Sequence, residues 1–174
     1  DMGQDKVKYC IATTSGKPRV PVSIDAAGLR KHFTAESVHS GESDFDPPRF
    51  KPDPSVYLLA ASWVGLDPSE CIAVEDSASG VGSASNAGIP LIVGYVGASH
   101  IASSSKSSHA DMLMAGTRAD SGRGASLVLE DMRDLPAVVQ AFRDAKCSGQ
   151  DNVGLEELTS GCQGKVYLPK ATLL

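Results

Sequence analysis

The chain has 174 residues, of which 41% are hydrophobic and 21% are charged, a composition typical of one soluble globular domain with a sizeable core. A net charge of −5 argues against a basic surface for nucleic acid, and no apolar run reaches the roughly 18 residues of a membrane-spanning helix. Four widely spaced cysteines form no C-x-x-C pair, which favours a reducing interior, either the cytoplasm or an organelle.

The first predicted strand ends in a turn rich in hydroxyl groups. Asp1–Asp5 are polar and are interpreted as the end of a helix or a frayed terminus, and Val7–Ala12 is predicted to form a strand. Thr13 and Thr14 follow that strand together with Ser, Gly and Lys. Their hydroxyls and backbone N–H groups could hold an anion, although a simple cap for the next helix is the alternative.

The next stretch contains short elements and a loop. A short helix is predicted over Pro18–Leu29, a short strand over Glu36–His39 and a loop over Gly41–Phe50. The loop carries Asp44-Phe45-Asp46, the single Asp-x-Asp of the chain. Two prolines follow it and no strongly apolar strand precedes it, so we interpret this triplet as a solvated loop.

A lysine between prolines precedes the second predicted helix. Pro54 suits the first turn of a helix that runs to Gly65, and Lys51 lies just before it in the segment Lys-Pro-Asp-Pro. A lysine held in this way can deliver a point charge to a phosphate or to a carboxylate. Tyr57 and Trp63 on the helix are predicted to pack in or beside the core rather than to stack on a ligand.

Two adjacent carboxylates end the third predicted strand. The apolar run Cys71–Val74 is followed by Glu75 and Asp76, and then by a helix of small residues that ends near Gly88. Ligands bind beyond the carboxyl ends of strands in an open α/β sheet, and carboxylate oxygens suit Mg²⁺. Favourable interaction of the two acids with the helix dipole is the alternative explanation.

The rest of the chain continues the alternation of strands and helices. Strands are predicted over Leu91–Tyr95 and Ser126–Leu129, and helices over His109–Ala115 and Leu135–Ala145. The serine-rich stretch 102–108 is predicted to be a flexible surface segment. Such an alternation predicts an α/β fold with a doubly wound parallel sheet.

Three of these stretches resemble motifs of the haloacid dehalogenase (HAD) superfamily. Glu75-Asp-Ser-x-x-Gly-Val is similar to motif IV, Lys51-Pro to motif III, and Thr13 after its strand to motif II. Lys51 precedes Glu75 by about two dozen residues, as in the family, and Gly-Ala-Ser-His100 resembles a loop of some bacterial members. The resemblance covers roughly residues 8–142 and is closest to β-phosphoglucomutase-like proteins and sugar-phosphate phosphatases.

The resemblance implies a Rossmann-like core that transfers a phosphoryl group from a small phosphorylated metabolite with Mg²⁺ as cofactor. Thr13 and Lys51 would then be catalytic residues that stabilise the phosphoryl oxygens, and Thr14 would help them to bind phosphate. Asp76, supported by Glu75, would bind Mg²⁺.

The first motif of the family, Asp-x-Asp after a central strand, has no counterpart in the chain. The resemblance places that strand between those of motifs II and IV, so residues 1–146 are expected to form a partial core without its central first strand, nucleophile or cap domain. Residues 147–174 are expected to be an extra tail, interpreted as an arm for a partner. Removal of a central strand leaves unpaired backbone groups on both neighbours. We therefore expect an upstream segment or another chain to complete the sheet.

Three functions remain open. In the first, the chain is part of a longer HAD phosphatase or phosphomutase whose start has been lost by truncation or processing. In the second, it is a catalytically inactive HAD-like domain that serves as a structural subunit of a larger assembly. In the third, it binds a phosphorylated ligand without catalysis. An upstream strand that ends in Asp-x-Asp would favour the first, and a partner's strand in the gap would favour the second.

Overall fold

The computed structural model describes residues 7–150 and 152–169, so the expected helix end or frayed terminus at residues 1–5 lies outside the described residues. The strands are β1 (Ile11–Thr13), β2 (Val38–Ser40), β3 (Ile72–Glu75), β4 (Leu91–Tyr95), β5 (Leu127–Leu129) and β6 (Val166–Tyr167). The α-helices are α1 (Val20–Ala26), α2 (Ser55–Val64), α3 (Ala78–Asn86), α4 (Lys106–Met114), α5 (Leu135–Cys147) and α6 (Leu155–Thr159).

The strands form two separate sheets. β1 pairs in parallel with β2, and Ile11 lies opposite Val38. β3, β4 and β5 pair in parallel in that order, and β6 pairs with β5 in the antiparallel direction. The predicted α/β fold with parallel strands is confirmed, whereas the antiparallel edge strand was not predicted.

A break in the sheet separates β1 from β3. Within residues 7–150 and 152–169, each of these two strands has a ladder partner on one side only. Val74, in β3, is 38% exposed, although a strand inside a parallel sheet with helices on both faces is normally covered. The break therefore lies at the position where the sequence predicted that a strand was missing.

The two central strands of the four-stranded sheet, β4 and β5, are covered on both faces. In β4, Ile92 packs into one apolar cluster with α2, α3 and α4, whereas Leu91 and Val93 pack into a second cluster with α5 and α6. In β5, Val128 faces the first cluster in the same manner. Successive side chains of a strand point to opposite faces, so each of these strands contributes to both cores and reads as a continuous apolar run.

The small residues of α3 allow that helix to lie close to its surroundings. A Cβ atom on Gly82 would lie 2.4 Å from the main-chain oxygen of Arg118, and one on Gly80 would lie 1.9 Å from Oε2 of Glu75. Both contacts are far shorter than van der Waals separation, so neither position accepts a side chain without movement of its neighbours. The two glycines thus allow close packing of α3.

The serine-rich stretch predicted as flexible is helical instead. Ser103–Ser105 form a 3₁₀ turn, and α4 begins at Lys106 rather than at His109. Nζ of Lys106 lies 2.6 Å from Oε1 of Glu130, and the buried side chain of Leu113 anchors the same helix in the core. Long-range packing and this ion pair outweigh the weak local propensity of the serines.

The C-terminal stretch packs on the same core. Leu158 of α6 is 4% exposed, and the backbone N–H groups of Gln163 and Gly164 donate to the buried carboxylate of Asp134 at 2.8 and 3.0 Å. Tyr167 of β6 donates to Glu130 at 3.2 Å. Residues 152–169 therefore pack on the core, while the domain boundary after residue 146 and the role of the tail as an arm for a partner stay predictions.

In the described ranges, the structure contains no helix that is both long enough and apolar enough to cross a membrane.

Candidate active site at the carboxyl edge of the sheets

The predicted site residues lie where the parallel strands end. Thr13 is the last residue of β1 and Glu75 the last of β3, and Thr14 and Asp76 come directly after them. Lys51 lies in the loop before α2, which contacts β1. The structure thus brings the strand ends on either side of the break to one edge, as the positions of these residues predicted.

Lys51 links the two sheets across the break. Its Nζ atom donates to the main-chain oxygen of Ala12 in β1 at 2.9 Å, and it also donates to Oε1 of Glu75 in β3. The side chains of Lys51 and Glu75 are 9% and 8% exposed. Because both charges are largely removed from water, each depends on the other for compensation.

Tyr57 completes a buried cluster with this ion pair. Its hydroxyl donates to the same Oε1 atom of Glu75, and Nζ of Lys51 lies 5.0 Å from the centroid of its ring. Burial first, and then the charge of Glu75, raise the pKa of Tyr57 well above its ordinary value, so the hydroxyl remains a donor. Sequence reasoning placed Tyr57 in or beside the core but missed its bond to Glu75.

Glu75 is thereby committed to protein partners. Lys51 and Tyr57 donate to its Oε1 atom, and Gly80 is the residue of α3 that leaves room for Oε2. The role expected for Glu75 as a metal ligand stays a prediction. Its contacts indicate that Glu75 orients Lys51 beside the site.

Asp76 presents the accessible carboxylate of this edge. Its side chain is 43% exposed, and Oδ2 lies 3.6 Å from Nε2 of His100 in the loop after β4. Nε2 of a second histidine, His109, donates to the main-chain oxygen of Asp76 at 2.6 Å. The contact of His109 was missed because it joins residues 33 positions apart, and nothing in the local sequence of α4 indicates it.

The turn after β1 is tied to the loop after β2. Thr13 accepts a hydrogen bond at Oγ1 from the backbone N–H of Ser15 at 3.1 Å, and its main-chain oxygen accepts one from the N–H of Gly41 at 2.8 Å. The hydroxyl of Ser40 donates to the main-chain oxygen of Ser15 at 2.8 Å. Thr14 lies half-buried beside Thr13. These bonds hold the hydroxyl-rich turn in a defined shape next to Lys51.

Asp44, the first residue of the single Asp-x-Asp sequence, has a structural role. Asp44 forms an ion pair with Lys17 at 2.5 Å and accepts a hydrogen bond from the N–H of Ser40 at 2.8 Å. Partial burial alone would raise the pKa of Asp44, but these two partners hold it below its ordinary value. An ionised carboxylate with two partners ties the loop after β2 to the turn after β1.

The side chains at this edge of the sheets suit a hard cation that is bound by few protein ligands. Across residues 7–150 and 152–169, no three His, Cys, Asp or Glu side chains converge as a metal cluster. Asp76 offers accessible oxygen atoms, and Mg²⁺ is commonly held by one or two carboxylates together with water and substrate phosphate. The residues present are therefore compatible with Mg²⁺ whose other ligands come from outside these residues.

Comparison with known sequences identifies related proteins for the first half of the chain. The family model described as haloacid dehalogenase-like hydrolase matches residues 3–88. A CBBY-like protein of Arabidopsis thaliana is 39% identical over 87 residues, which are 50% of this chain and 26% of that protein. Hexitol phosphatase A of Escherichia coli is 36% identical over 89 residues, 49% of this chain and 37% of that protein. A probable pseudouridine-5'-phosphatase of Drosophila melanogaster is 36% identical over 93 residues, 51% of this chain and 39% of that protein.

Solved structures extend the similarity beyond the first half. A haloacid dehalogenase-like protein of unknown function from Agrobacterium tumefaciens superposes with a TM-score of 0.65 at 32% identity, over 77% of this chain and 54% of that one. A HAD family hydrolase from Deinococcus radiodurans, solved with bound phosphate and sodium, shares the fold with a TM-score of 0.58 at 24% identity, over 79% of this chain and 53% of that one. This chain spans between a quarter and two fifths of the curated relatives above and about half of these structures.

Proposed function

Because the chain belongs to the haloacid dehalogenase-like hydrolases, we propose that it supplies the phosphate-binding and metal-binding part of a Mg²⁺-dependent site for phosphoryl transfer from a small phosphorylated metabolite. The observation that supports this most is the position of Lys51, which is oriented by Glu75 at the carboxyl edge of the sheets beside the accessible carboxylate of Asp76. Two related proteins named as phosphatases, from Escherichia coli and Drosophila melanogaster, are consistent with this chemistry.

In this proposal the positive charge of Lys51 and the hydroxyls of the turn bind the phosphoryl group. Thr13 and Thr14 lie at the end of β1, where side-chain hydroxyls and backbone N–H groups can donate to phosphoryl oxygens. Lys51 stabilises the negative charge that these oxygens carry in the transition state, and its bond to Glu75 fixes it before substrate arrives.

Asp76, with Glu75 in support, is proposed to hold Mg²⁺ at the same edge. When bound, the ion would neutralise phosphoryl oxygens and orient them. The bond that His109 donates to the main-chain oxygen of Asp76 keeps the acidic turn in place, so its carboxylate remains presented outside the end of β3. Glu75 acts in this scheme through Lys51 and the position of the turn.

The nucleophile and its strand would come from an upstream segment or from another chain. The free edges of β1 and β3 flank the break and expose backbone groups that a parallel strand can pair. Such a strand would end beside Lys51, at the edge that also carries Asp76. The same free edges suit the alternative, in which the chain is a catalytically inactive HAD-like structural subunit completed by a partner's strand.

The natural protein that carries this sequence tests the proposal. We would measure its intact mass and its hydrolysis of p-nitrophenyl phosphate with Mg²⁺ and with a chelator, and compare Lys51→Ala with Lys31→Ala, the replacement of an exposed lysine outside the site. We expect a mass well above 18.1 kDa, hydrolysis that requires Mg²⁺, and a loss of at least about a hundredfold in Lys51→Ala alone.

Two results separate the candidates. A protein of 18.1 kDa that shows no hydrolysis and copurifies with a strand-donating partner would support the structural subunit instead. Equal hydrolysis by Lys51→Ala and Lys31→Ala would exclude the assigned role of Lys51.

A further inference from the structure

A histidine lies beside the accessible carboxylate of the edge. Nε2 of His100 is 3.6 Å from Oδ2 of Asp76. A protein-bound transition metal lies about 2.1 Å from each nitrogen or oxygen ligand, so one ion can contact both of these atoms without a change in their separation. The two side chains are 65% and 43% exposed, which leaves the space around them open to an ion and to water.

The loop that carries His100 is anchored on both sides of the histidine. Ile101 is 7% exposed and belongs to the core cluster, and Ala98 packs against the same cluster. The N–H of Ile101 donates to the main-chain oxygen of Ala98 at 3.0 Å, which closes a turn around His100. A Cβ atom on Gly97 would lie 2.2 Å from the main-chain oxygen of Glu130, so the loop passes tightly over β5. These contacts hold His100 at the edge of the site.

The carboxylate of Asp76 is the oxygen donor available to the histidine. Glu75 is buried and accepts from Lys51 and Tyr57. The main chain of Asp76 is held by His109, so the position of its carboxylate relative to the loop depends on packed elements on both sides. The pair of Asp76 and His100 therefore joins the ends of β3 and β4, which are neighbours in one sheet.

We propose that His100 is a second protein ligand beside Asp76 and that the metal site of the proposed function binds a first-row transition metal such as Mn²⁺ more tightly than Mg²⁺. The inference rests on the proposed function because it uses the metal position assigned to Asp76. Imidazole nitrogen suits transition metals, whereas Mg²⁺ prefers oxygen ligands and retains water. Water and substrate phosphate supply the other ligands.

Line broadening by Mn²⁺ in the NMR spectrum of the natural protein that carries this sequence tests the inference without any assay of activity. The amide signals of residues 76–80 and 97–101 would be followed in two titrations. Their line broadening would be measured during titration with Mn²⁺, and their chemical-shift changes would be measured during titration with Mg²⁺. The variants are His100→Asn, Asp76→Asn and the control His32→Asn, which changes an exposed histidine away from the edge.

We expect His100→Asn to raise the Mn²⁺ concentration required for half-broadening by about tenfold and to leave the Mg²⁺ titration unchanged, while His32→Asn behaves as the unmodified chain. An unchanged Mn²⁺ titration in His100→Asn, or an equal weakening of Mn²⁺ and Mg²⁺, would overturn the role of His100 as a ligand and leave Asp76 as the proposed Mg²⁺ ligand. Broadening that persists in Asp76→Asn would instead refute the metal position of the proposed function itself.

Discussion

Replacement of Glu75 by Gln removes one charge from the buried ion pair that joins the two sheets. Lys51 would keep its bond to the main-chain oxygen of Ala12 but would lose its charged partner in a place where it is only 9% exposed. Removal of one partner from a buried ion pair typically costs about 3–5 kcal/mol, because the remaining charge is left without compensation. Since Gln retains an acceptor for Lys51 and Tyr57, we expect a loss of about 3 kcal/mol in the free energy of unfolding of Glu75→Gln.

Urea denaturation followed by fluorescence measures this loss. Trp63, the single tryptophan, lies on α2 against the ring of His39 at 5.4 Å between centroids, so its emission reports the packing of α2. Glu42→Gln is the matched control, because Glu42 forms its ion pair with Arg19 in solvent, with side chains that are 44% and 70% exposed. An exposed pair of this kind contributes less than about 1 kcal/mol.

A second variant separates charge compensation from simple loss of contacts. Replacement of both members, as Lys51→Met with Glu75→Leu, removes the two buried charges together and is expected to recover most of the stability lost in Glu75→Gln. If Glu75→Gln costs no more than Glu42→Gln, or if the double variant is less stable than Glu75→Gln, the ion pair does not link the sheets in the way described.

Three further changes test other parts of the structure. Asp134→Ala leaves two backbone N–H groups of the tail without their acceptor, so we expect a loss of about 2 kcal/mol in unfolding free energy and faster tryptic cleavage after Lys165. Tyr57 retains its proton when folded, whereas an unfolded tyrosine loses it near pH 10, so stability falls as the pH rises above about 10, and Tyr57→Phe should lack this part of the fall. Gly80→Ala places a methyl group 1.9 Å from Oε2 of Glu75 and should cost about 1–3 kcal/mol in denaturation.

Each of these changes has a matched control elsewhere in the chain. Asp111→Ala alters an exposed carboxylate of α4, Tyr9→Phe removes a hydroxyl from a tyrosine that is 53% exposed, and Gly154→Ala adds a methyl group in open space. Tail cleavage at the same rate in Asp134→Ala and Asp111→Ala would exclude the anchoring role of Asp134. The buried cluster would be refuted if Tyr9→Phe reduced the alkaline loss of stability as much as Tyr57→Phe, or if Gly80→Ala were tolerated like Gly154→Ala.

The local signals were most informative where an element is both long and strongly patterned. β4 was predicted to the residue, because four consecutive buried residues followed by the half-buried Tyr95 form an unambiguous apolar run. α2 was predicted almost completely, since Pro54 marks its first turn and Gly65, with a φ of 75°, marks its end. β1 was displaced from the predicted Val7–Ala12 to Ile11–Thr13, because a strand extends only as far as its ladder partner, which no local pattern reveals.

The contacts of the site that the sequence could not predict join residues that lie far apart in the chain. Lys51 was recognised from its flanking prolines, but its bond to Ala12 depends on how α2 packs against β1. The contact between His109 and Asp76 likewise depends on how α4 packs against the central strands. Crossover connections set the order of strands in a parallel sheet. They therefore also set which side chains meet at the ends of the strands.

The sequence by itself indicated the family and the class of fold. Its motif residues and their spacing indicated the HAD family, and the alternation of strands and helices indicated the α/β fold with parallel strands. The tertiary structure alone decided that Glu75 is a buried partner of Lys51, that two histidines flank Asp76, and that the tail adds an antiparallel strand to the sheet. The physical reason is that motif residues are required by local chemistry, whereas burial and pairing arise only when segments far apart in the chain exclude water from one another.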